Sequence, residues 1–193
     1  MSEFQNYNGP IIDVWANWWD NNFFKQYPRL RELYERLGIE GRMKLSSENL
    51  VQEAKKAKIT KIILSATVCA EAQVTNAKVY ETSKKASDLI SPCASVDPRN
   101  GMESIRQLRY AVNDLGCIAV KFLPFLYGLP PNHASFFPLY AECVELNVPA
   151  LILTGHTAVN LSNETGRPGS LDDIALYFPE LVIVAGHAGY PWS

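Results

Sequence analysis

The side chains able to do acid–base or polar chemistry lie where short apolar runs end. Asp13, Trp15 and Asn17 follow an isoleucine pair near the start of the chain, in the order IIDVWAN. If this run is a strand, their spacing of i, i+2 and i+4 puts all three on one face. His156 follows a second apolar run, in LILTGH, and His187 follows a third, in LVIVAGH. Imidazole titrates near neutral pH, so both histidines are candidates for general acid–base catalysis.

Other polar and aromatic side chains are candidates for holding a ligand. Lys121, in AVKFLP, can bind an anionic substrate through its ammonium, or can simply extend to solvent at the end of a strand. Arg167, in ETGRPGS, can hold a carboxylate through two parallel hydrogen bonds, or can be an ordinary surface arginine. Trp15, Trp18 and Trp19 can form a wall over a planar, carboxylated ligand, with core packing of two of the three as the alternative. Asp13 either orients or protonates substrate, or hydrogen-bonds neighbouring backbone.

Six apolar runs must position these side chains. Each is short, rich in Ile and Val, and ended by Gly, Pro or Asp, which predicts strands buried on both faces. The runs cover residues 10–16, 61–68, 90–97, 116–124, 148–155 and 181–187. Amphipathic stretches typical of helices lie between them, and SSENLVQEAKKAKI begins with a plausible Ser N-cap. Strict β–α alternation implies a parallel sheet with right-handed crossovers, which brings Asn17, Lys121, His156 and His187 near one rim.

The number of units leaves two architectures open. A closed (β/α)₈ barrel has eight strands and about 250 residues, whereas an open doubly wound sheet of six strands suits a chain of 193 residues. No G-x-G-x-x-G follows the first strand, which argues against a dinucleotide-binding fold. The first connection is the longest and carries the aromatic segment 17–38, predicted to be a lid or one wall of a pocket.

Composition excludes several classes of protein. A hydrophobic fraction of 47% with 20% charged residues is typical of a globular protein, here predicted as a single domain over residues 1–193. A net charge of −2 without a basic stripe argues against nucleic-acid binding. No apolar run is long enough to span a membrane, and MSEFQNYNGP shows no secretory signal, so a cytoplasmic location is predicted. The four cysteines form no C-x-x-C pair and are predicted to be free thiols.

Several stretches closely resemble the amidohydrolase-related family of the amidohydrolase superfamily. That family includes aminocarboxymuconate-semialdehyde decarboxylase-like enzymes and some lactone hydrolases. The most specific stretches are KFLPFLYGLPPN, PLYAECVEL, TGH and FPELVIVAGHAGYPW, and the resemblance runs from IIDVWAN to GYPW. It implies an α/β barrel of the TIM type, of which this chain would hold the first six βα units. We therefore expect a domain that is incomplete at its C-terminus or that closes by association, with a homodimer as one form.

The resemblance also implies one divalent metal, often zinc, at the C-terminal ends of the strands. In the family the first strand ends in D-x-H-x-H, the fifth and sixth strands each supply a histidine, and the eighth supplies an aspartate. Carried over, Trp15 and Asn17 stand at the two first-strand histidines, Leu153 at the fifth-strand histidine and His187 at the sixth. Indole and leucine offer a metal no lone pair, and a neutral amide is a weak ligand. A residual zinc or manganese site on His187 and His156 and no metal at all both stay open.

For function, the resemblance implies hydrolysis of a small carboxylated, cyclic or aromatic substrate. Decarboxylation of such a compound is the alternative within the family. A catalytically inactive barrel that binds a ligand or partner is a third possibility, because fold does not fix chemistry. In a metal-free version, His187 would act as general base or acid, and His156 would polarise the substrate carbonyl or share the proton transfer. Lys121 and Arg167 would then position the carboxylate.

Overall fold

The computed structural model describes residues 8–192 of the chain. Most of the N-terminal stretch in which no secretory signal is visible lies outside the described residues. The strands are β1 (Ile12–Asn17), β2 (Lys61–Ser65), β3 (Thr67–Val68), β4 (Gln73–Val74), β5 (Ile90–Cys93), β6 (Val120–Phe122), β7 (Ala150–Leu153) and β8 (Ile183–Gly186). The helices are α1 (Asn21–Gln26), α2 (Pro28–Arg36), α3 (Ser47–Lys56), α4 (Asn76–Lys84), α5 (Met102–Asn113), α6 (Pro124–Tyr127), α7 (Phe137–Glu145) and α8 (Ser170–Tyr177). Within this range, no helix is long and apolar enough to cross a membrane.

Helices begin where the sequence provides caps. The Asp20 side chain accepts a hydrogen bond of 2.8 Å from the Phe23 N–H and starts α1. Pro28 begins α2, where its missing N–H leaves no hydrogen bond unmade. Ser46 and Asn49 bond reciprocally to each other's backbone N–H and form a capping box before α3, which confirms the predicted Ser cap. A cap of this kind stabilises a helix by about 1 kcal/mol.

The order of the parallel strands shows which architecture the chain adopts. β1, β2 and β5 pair in that order, and so do β6, β7 and β8. An isolated bridge between Ala94 and Val120 joins the two sets, so six parallel strands follow one another in chain order. A doubly wound sheet would reverse its strand order at a switch point. The sheet is also curled, because Trp15 on the first strand contacts Gly186 on the last. The barrel prediction is therefore confirmed, and the open doubly wound sheet is wrong.

Two of the predicted runs show why an apolar stretch can extend beyond its strand. The run 61–68 contains β2 and then β3, which turns back to pair antiparallel with β4. The run 116–124 contains only the three residues of β6. Both runs are apolar past the strand because the chain stays buried as it leaves the sheet, as at Leu123 and Ala66.

Apolar side chains fill both the barrel interior and the space outside it. Outside, helices α5, α7 and α8 cover the sheet with fully buried side chains such as Leu108, Tyr140 and Ile174. Inside, a small cluster of Cys93, Ala119 and Leu151 packs against partly buried neighbours. The four cysteines, all within the described residues, are free thiols as predicted. Burial raises the pKa of the Cys93 thiol to about 11, which keeps it protonated and unreactive near neutral pH.

Candidate active site

A cavity of about 120 Å³ lies at the carboxyl ends of the barrel strands. Three of the residues singled out in the sequence line it from the sheet: Trp15 and Asn17 on β1, and His187 directly after β8. Leu153, at the end of β7, lines it as well. The remaining lining residues are mostly apolar and are Trp19, Phe23, Tyr27, Leu30, Leu33, Tyr34, Thr67, Leu123, Phe125, Leu126, Thr157 and Val159.

Helices α1 and α2 form one wall of this cavity. Phe23 on α1, Tyr27 between the two helices and Leu30 on α2 are almost wholly buried and all line the cavity. Trp19 stacks on Phe23 with ring centroids 5.9 Å apart, and its indole N–H donates to the Thr67 hydroxyl at 3.0 Å. The aromatic segment between the first two barrel strands is therefore a pocket wall, one of the two roles predicted for it.

The indole of Trp15 fills the centre of the barrel beneath the cavity. It packs on the interior cluster and meets the His187 ring edge-on, with ring centroids 5.4 Å apart. The approach to β8 is so close that a Cβ added at Gly186 would lie 2.5 Å from Cη2 of Trp15. Residue 186 must be glycine for the indole to occupy this place.

Lys121 is fully buried under Trp15 and Asn17, with 0% of its surface exposed. Its Nζ lies 4.2 Å from the centroid of the Trp15 ring and donates to Asn17 Oδ1 at 2.7 Å. Burial lowers the Lys121 pKa to about 8, opposed by nearby Cys93 and Asp13. The prediction that Lys121 could extend to solvent at the end of its strand is therefore wrong. The ammonium lies in the barrel interior, and Trp15 and Asn17 separate it from the cavity.

The bond from Lys121 fixes which way the Asn17 amide faces. An ammonium has only donors, so the atom it contacts must be the amide oxygen. The NH₂ group of Asn17 is left to face elsewhere, and Asn17 lines the cavity. A hydrogen bond donated by Asn17 to a ligand would have to come from this NH₂ group.

His187 stands at the mouth of the cavity in an uncommon backbone conformation. Its φ is +65°, a left-handed value that non-glycine residues adopt rarely. Partial burial and the positive charge of Lys121 both lower the pKa of the imidazole below its ordinary value. The neutral ring, able to accept a proton, is the main form near neutral pH.

Asp13 lies deeper in the barrel, below Trp15. Its Oδ1 accepts the Trp15 N–H at 3.0 Å, where the register between β1 and β2 shifts between Asp13 and Ala16. The carboxylate thus satisfies a backbone donor at an irregular point of the strand. This geometry matches the structural role considered for Asp13 rather than a contact with a ligand in the cavity.

His156 and Arg167 lie in the loop after β7, outside the cavity. His156 is exposed, and its Nδ1 accepts the Ala158 N–H at 2.9 Å within a turn. Arg167 is exposed as well and forms two hydrogen bonds to the Glu164 carboxylate, of 2.6 and 3.2 Å. Its guanidinium lies 5.3 Å from the Trp192 ring. A ligand in the cavity contacts neither side chain in this conformation.

Trp18 does not line this cavity but lies in a neighbouring pocket. Its indole N–H donates to the Leu45 carbonyl at 2.9 Å, and Lys78 Nζ lies 5.5 Å from its ring centroid. The next residue, Trp19, lines the cavity instead. Of the two neighbouring tryptophans considered for the aromatic wall, the structure therefore places Trp19 at the cavity.

A family model for amidohydrolases matches residues 12–193. The chain belongs to the amidohydrolase family. No curated protein matches its sequence.

Solved structures share the fold at low sequence identity. An uncharacterised TIM-barrel protein from Bordetella bronchiseptica superposes with a TM-score of 0.75 at 23% identity, over 95% of this chain and 68% of that one. A 4-oxalomesaconate hydratase from Rhodopseudomonas palustris gives a TM-score of 0.62 at 18% identity, over 93% of this chain and 63% of that one. A dihydroxybenzoic acid decarboxylase from a Polaromonas species, solved with bound manganese and an inhibitor, gives 0.65 at 13% identity, over 93% and 66%. The chain thus spans about two thirds of the length of each. The family, the hydratase and the decarboxylase are enzymes.

The residues at the barrel centre do not fit a divalent metal. Within residues 8–192, no three His, Cys, Asp or Glu side chains lie together as a metal site would require. At the positions that the family pattern assigns to metal ligands, Trp15 carries an indole and Leu153 an alkyl side chain. The third, Asn17, already accepts a hydrogen bond from the Lys121 ammonium. His187 and His156, proposed as a residual site, occupy the cavity mouth and an exposed turn respectively.

Proposed function

We propose that this chain is a hydrolase of the amidohydrolase family that acts on a small carboxylated, cyclic or aromatic compound. The observation that carries the proposal is the position of His187. Its imidazole lines the mouth of the cavity, and its lowered pKa keeps it neutral at the pH where a general base must accept a proton. A base beside an apolar pocket is what the activation of water against a bound carbonyl group requires.

The size and walls of the cavity support a single ring as ligand. Its volume of about 120 Å³ is close to that of a protein cavity known to hold benzene, about 150 Å³. Trp15, Trp19 and Phe23 give it aromatic surfaces on which a planar ring can stack or meet an edge. A larger substrate would need α1 and α2 to move.

The residues around the cavity can be assigned to the steps of hydrolysis. His187 takes a proton from water as the water oxygen bonds to the substrate carbonyl carbon. The carbonyl oxygen becomes negative, and the NH₂ group of Asn17 donates to it, with the positive charge of Lys121 behind the amide. The bond to the leaving group then breaks, and its electron pair takes the proton back from His187. The products are a carboxylic acid and the protonated leaving group.

Turnover of a panel of lactones, esters and amides of ring carboxylates tests this proposal. His187→Ala should lower kcat by about 10²–10⁴-fold, the usual contribution of a general base. His156→Ala is the matched control, since that histidine is exposed and lies outside the cavity. Equal loss of activity in both variants, or full activity in His187→Ala, would contradict the assignment.

Decarboxylation is the second candidate, and the apolar walls favour it. Loss of CO₂ moves a charged carboxylate towards a neutral product, a change that apolar surroundings assist. In this reaction a proton must be added to the ring carbon as the C–C bond breaks and its electron pair returns to the ring. His187 would have to supply that proton, so the rate would rise as pH falls through the histidine pKa. In hydrolysis, the rate rises with pH over the same range.

The pH profile of a substrate that is turned over therefore separates the two reactions. Binding of ring carboxylates would be detected by a saturable change in tryptophan fluorescence. The protein would be a catalytically inactive, ligand-binding barrel if it binds ring carboxylates but turns over none of them. That result would contradict both catalytic proposals.

A further inference from the structure

We propose that the Lys121 ammonium and the Trp15 indole together occupy the centre of this barrel in place of a divalent metal ion, so that the site excludes such an ion. The inference concerns the cation at the site and holds whichever reaction, if any, the cavity supports. It rests on three observations: the space that the indole fills, the charge that Lys121 brings, and the use already made of the available donor atoms.

The first observation is that the space is taken. The Trp15 ring touches Gly186 and His187 at β8 and covers Lys121 at β6. It also packs on the buried cluster of Cys93, Ala119 and Leu151. An ion at the ends of these strands would have to displace an indole that is held from several sides. Gly186 shows how closely the ring fits, since even one methyl group there would overlap it.

The second observation is a positive charge already at this place. Lys121 is fully buried, and its ammonium is stabilised by contacts with the protein rather than by water. The Asn17 oxygen accepts from it at 2.7 Å, and the π face of Trp15 lies over it at 4.2 Å. Asp13 adds a negative charge from deeper in the barrel. A second cation beside Lys121 would be repelled across a region of low dielectric.

The third observation is the shortage of donor atoms. At the carboxyl end of β1, Asn17 offers an oxygen that Lys121 already uses, and the Asp13 carboxylate deeper in the strand already accepts the Trp15 N–H. Turning the amide to release that oxygen would place its NH₂ group against the ammonium, donor against donor. His187 alone cannot hold a divalent ion, because affinity comes from several aligned ligands.

Metal analysis of the full wild-type chain gives the direct test. Purified protein is incubated with Zn²⁺ or Mn²⁺ and desalted, and its metal content per chain is measured by elemental mass spectrometry. Its melting temperature is measured with and without each ion. We expect much less than one equivalent of metal and no rise in melting temperature. One equivalent of bound zinc or manganese that is lost in His187→Ala would overturn the proposal.

Rebuilding the metal site tests the part played by Lys121. The triple variant Trp15→His, Asn17→His, Leu153→His removes the indole and restores nitrogen donors but keeps the ammonium. Adding Lys121→Met should tighten Zn²⁺ binding by at least about tenfold, because the repelling charge is gone. Adding Lys61→Met instead is the matched control, since that lysine lies at the far end of β2 and donates to Ser87.

Equal Zn²⁺ affinity of the triple variant with and without Lys121→Met would overturn the role of the ammonium. Circular dichroism shows whether each rebuilt variant is folded. If they do not fold, the metal content and melting temperature of the wild-type chain still decide whether the site excludes metal.

Discussion

Replacing Lys121 by methionine should abolish a rise in the unfolding free energy that the wild-type chain shows at alkaline pH. The ammonium is fully buried, and its pKa falls from an ordinary 10.5 to about 8. Lowering a pKa by one on folding corresponds to about 1.4 kcal/mol, so burying this ammonium costs about 3 kcal/mol of unfolding free energy. The wild-type chain therefore bears this destabilisation at pH 7 and is relieved of it when the lysine loses its proton.

The direction follows from which state holds the proton. Below pH 8, Lys121 is protonated in both the folded and unfolded chain, and its contribution does not change with pH. Between pH 8 and 10.5, only the unfolded chain keeps the proton, so the free energy of unfolding rises with pH. Cys93 has the opposite effect above pH 9, since burial raises its pKa to about 11. The difference between wild type and variant removes most of that background.

Urea denaturation of wild type and Lys121→Met between pH 7 and 9.5 measures the effect. Over that range, the unfolding free energy of wild type should gain about 2 kcal/mol relative to the variant. Lys55→Met, which removes an exposed lysine of α3, should give a curve parallel to that of wild type. Parallel curves for wild type and Lys121→Met would contradict the prediction, since they would mean that the buried lysine does not change its proton affinity on folding.

Three further outcomes are expected. Gly186→Ala should destabilise the fold by about 1–3 kcal/mol through overpacking, because the new methyl group would meet Trp15 Cη2 at 2.5 Å. Adding Trp15→Phe to Gly186→Ala should recover part of that loss. If the unfolding free energies of the single and double variants, measured in urea, are additive, the predicted contact is contradicted. For a substrate that is hydrolysed, the His187-dependent rate should rise with pH with a midpoint below the ordinary histidine pKa of 6.5, whereas His156→Ala should leave the profile unchanged. Asp13→Ala should lower the unfolding free energy by about 1 kcal/mol by leaving the Trp15 N–H without its acceptor, while Asp13→Asn, which keeps an oxygen there, should cost less in the same assay.

The strands and their one-sided chemistry could be predicted from the sequence, because short apolar runs ended by Gly, Pro or Asp are typical of buried parallel strands. The apolar run at β6 does not indicate how deeply Lys121 is buried. Lys121 is buried because an indole from β1 and an amide two residues further on cover it, and those contacts join positions more than a hundred residues apart. The residue types at Trp15 and Asn17 indicated a lost metal site but not what replaced it.

Loops set the limit for the rest of the site. His156 and Arg167 follow β7 closely enough to suggest a shared rim, yet local bonds turn both away. Gly155, with a φ of +88°, redirects the chain just before His156, whose N–H then donates to the Tyr190 carbonyl at 2.8 Å. Arg167 pairs with Glu164 three residues earlier. Such short-range geometry depends on turn conformation, which apolar periodicity does not encode.

The bond between Lys121 and Asn17 has a consequence for selectivity. It turns the Asn17 oxygen towards the ammonium, so a ligand that bonds to this amide from the cavity would meet the NH₂ group first. A compound that brings a lone pair to this point, such as an acid or a ketone, is matched, while the corresponding primary ammonium compound sets donor against donor. Two molecules of the same shape are thereby sorted by the polarity of a single atom, before any bond is made or broken.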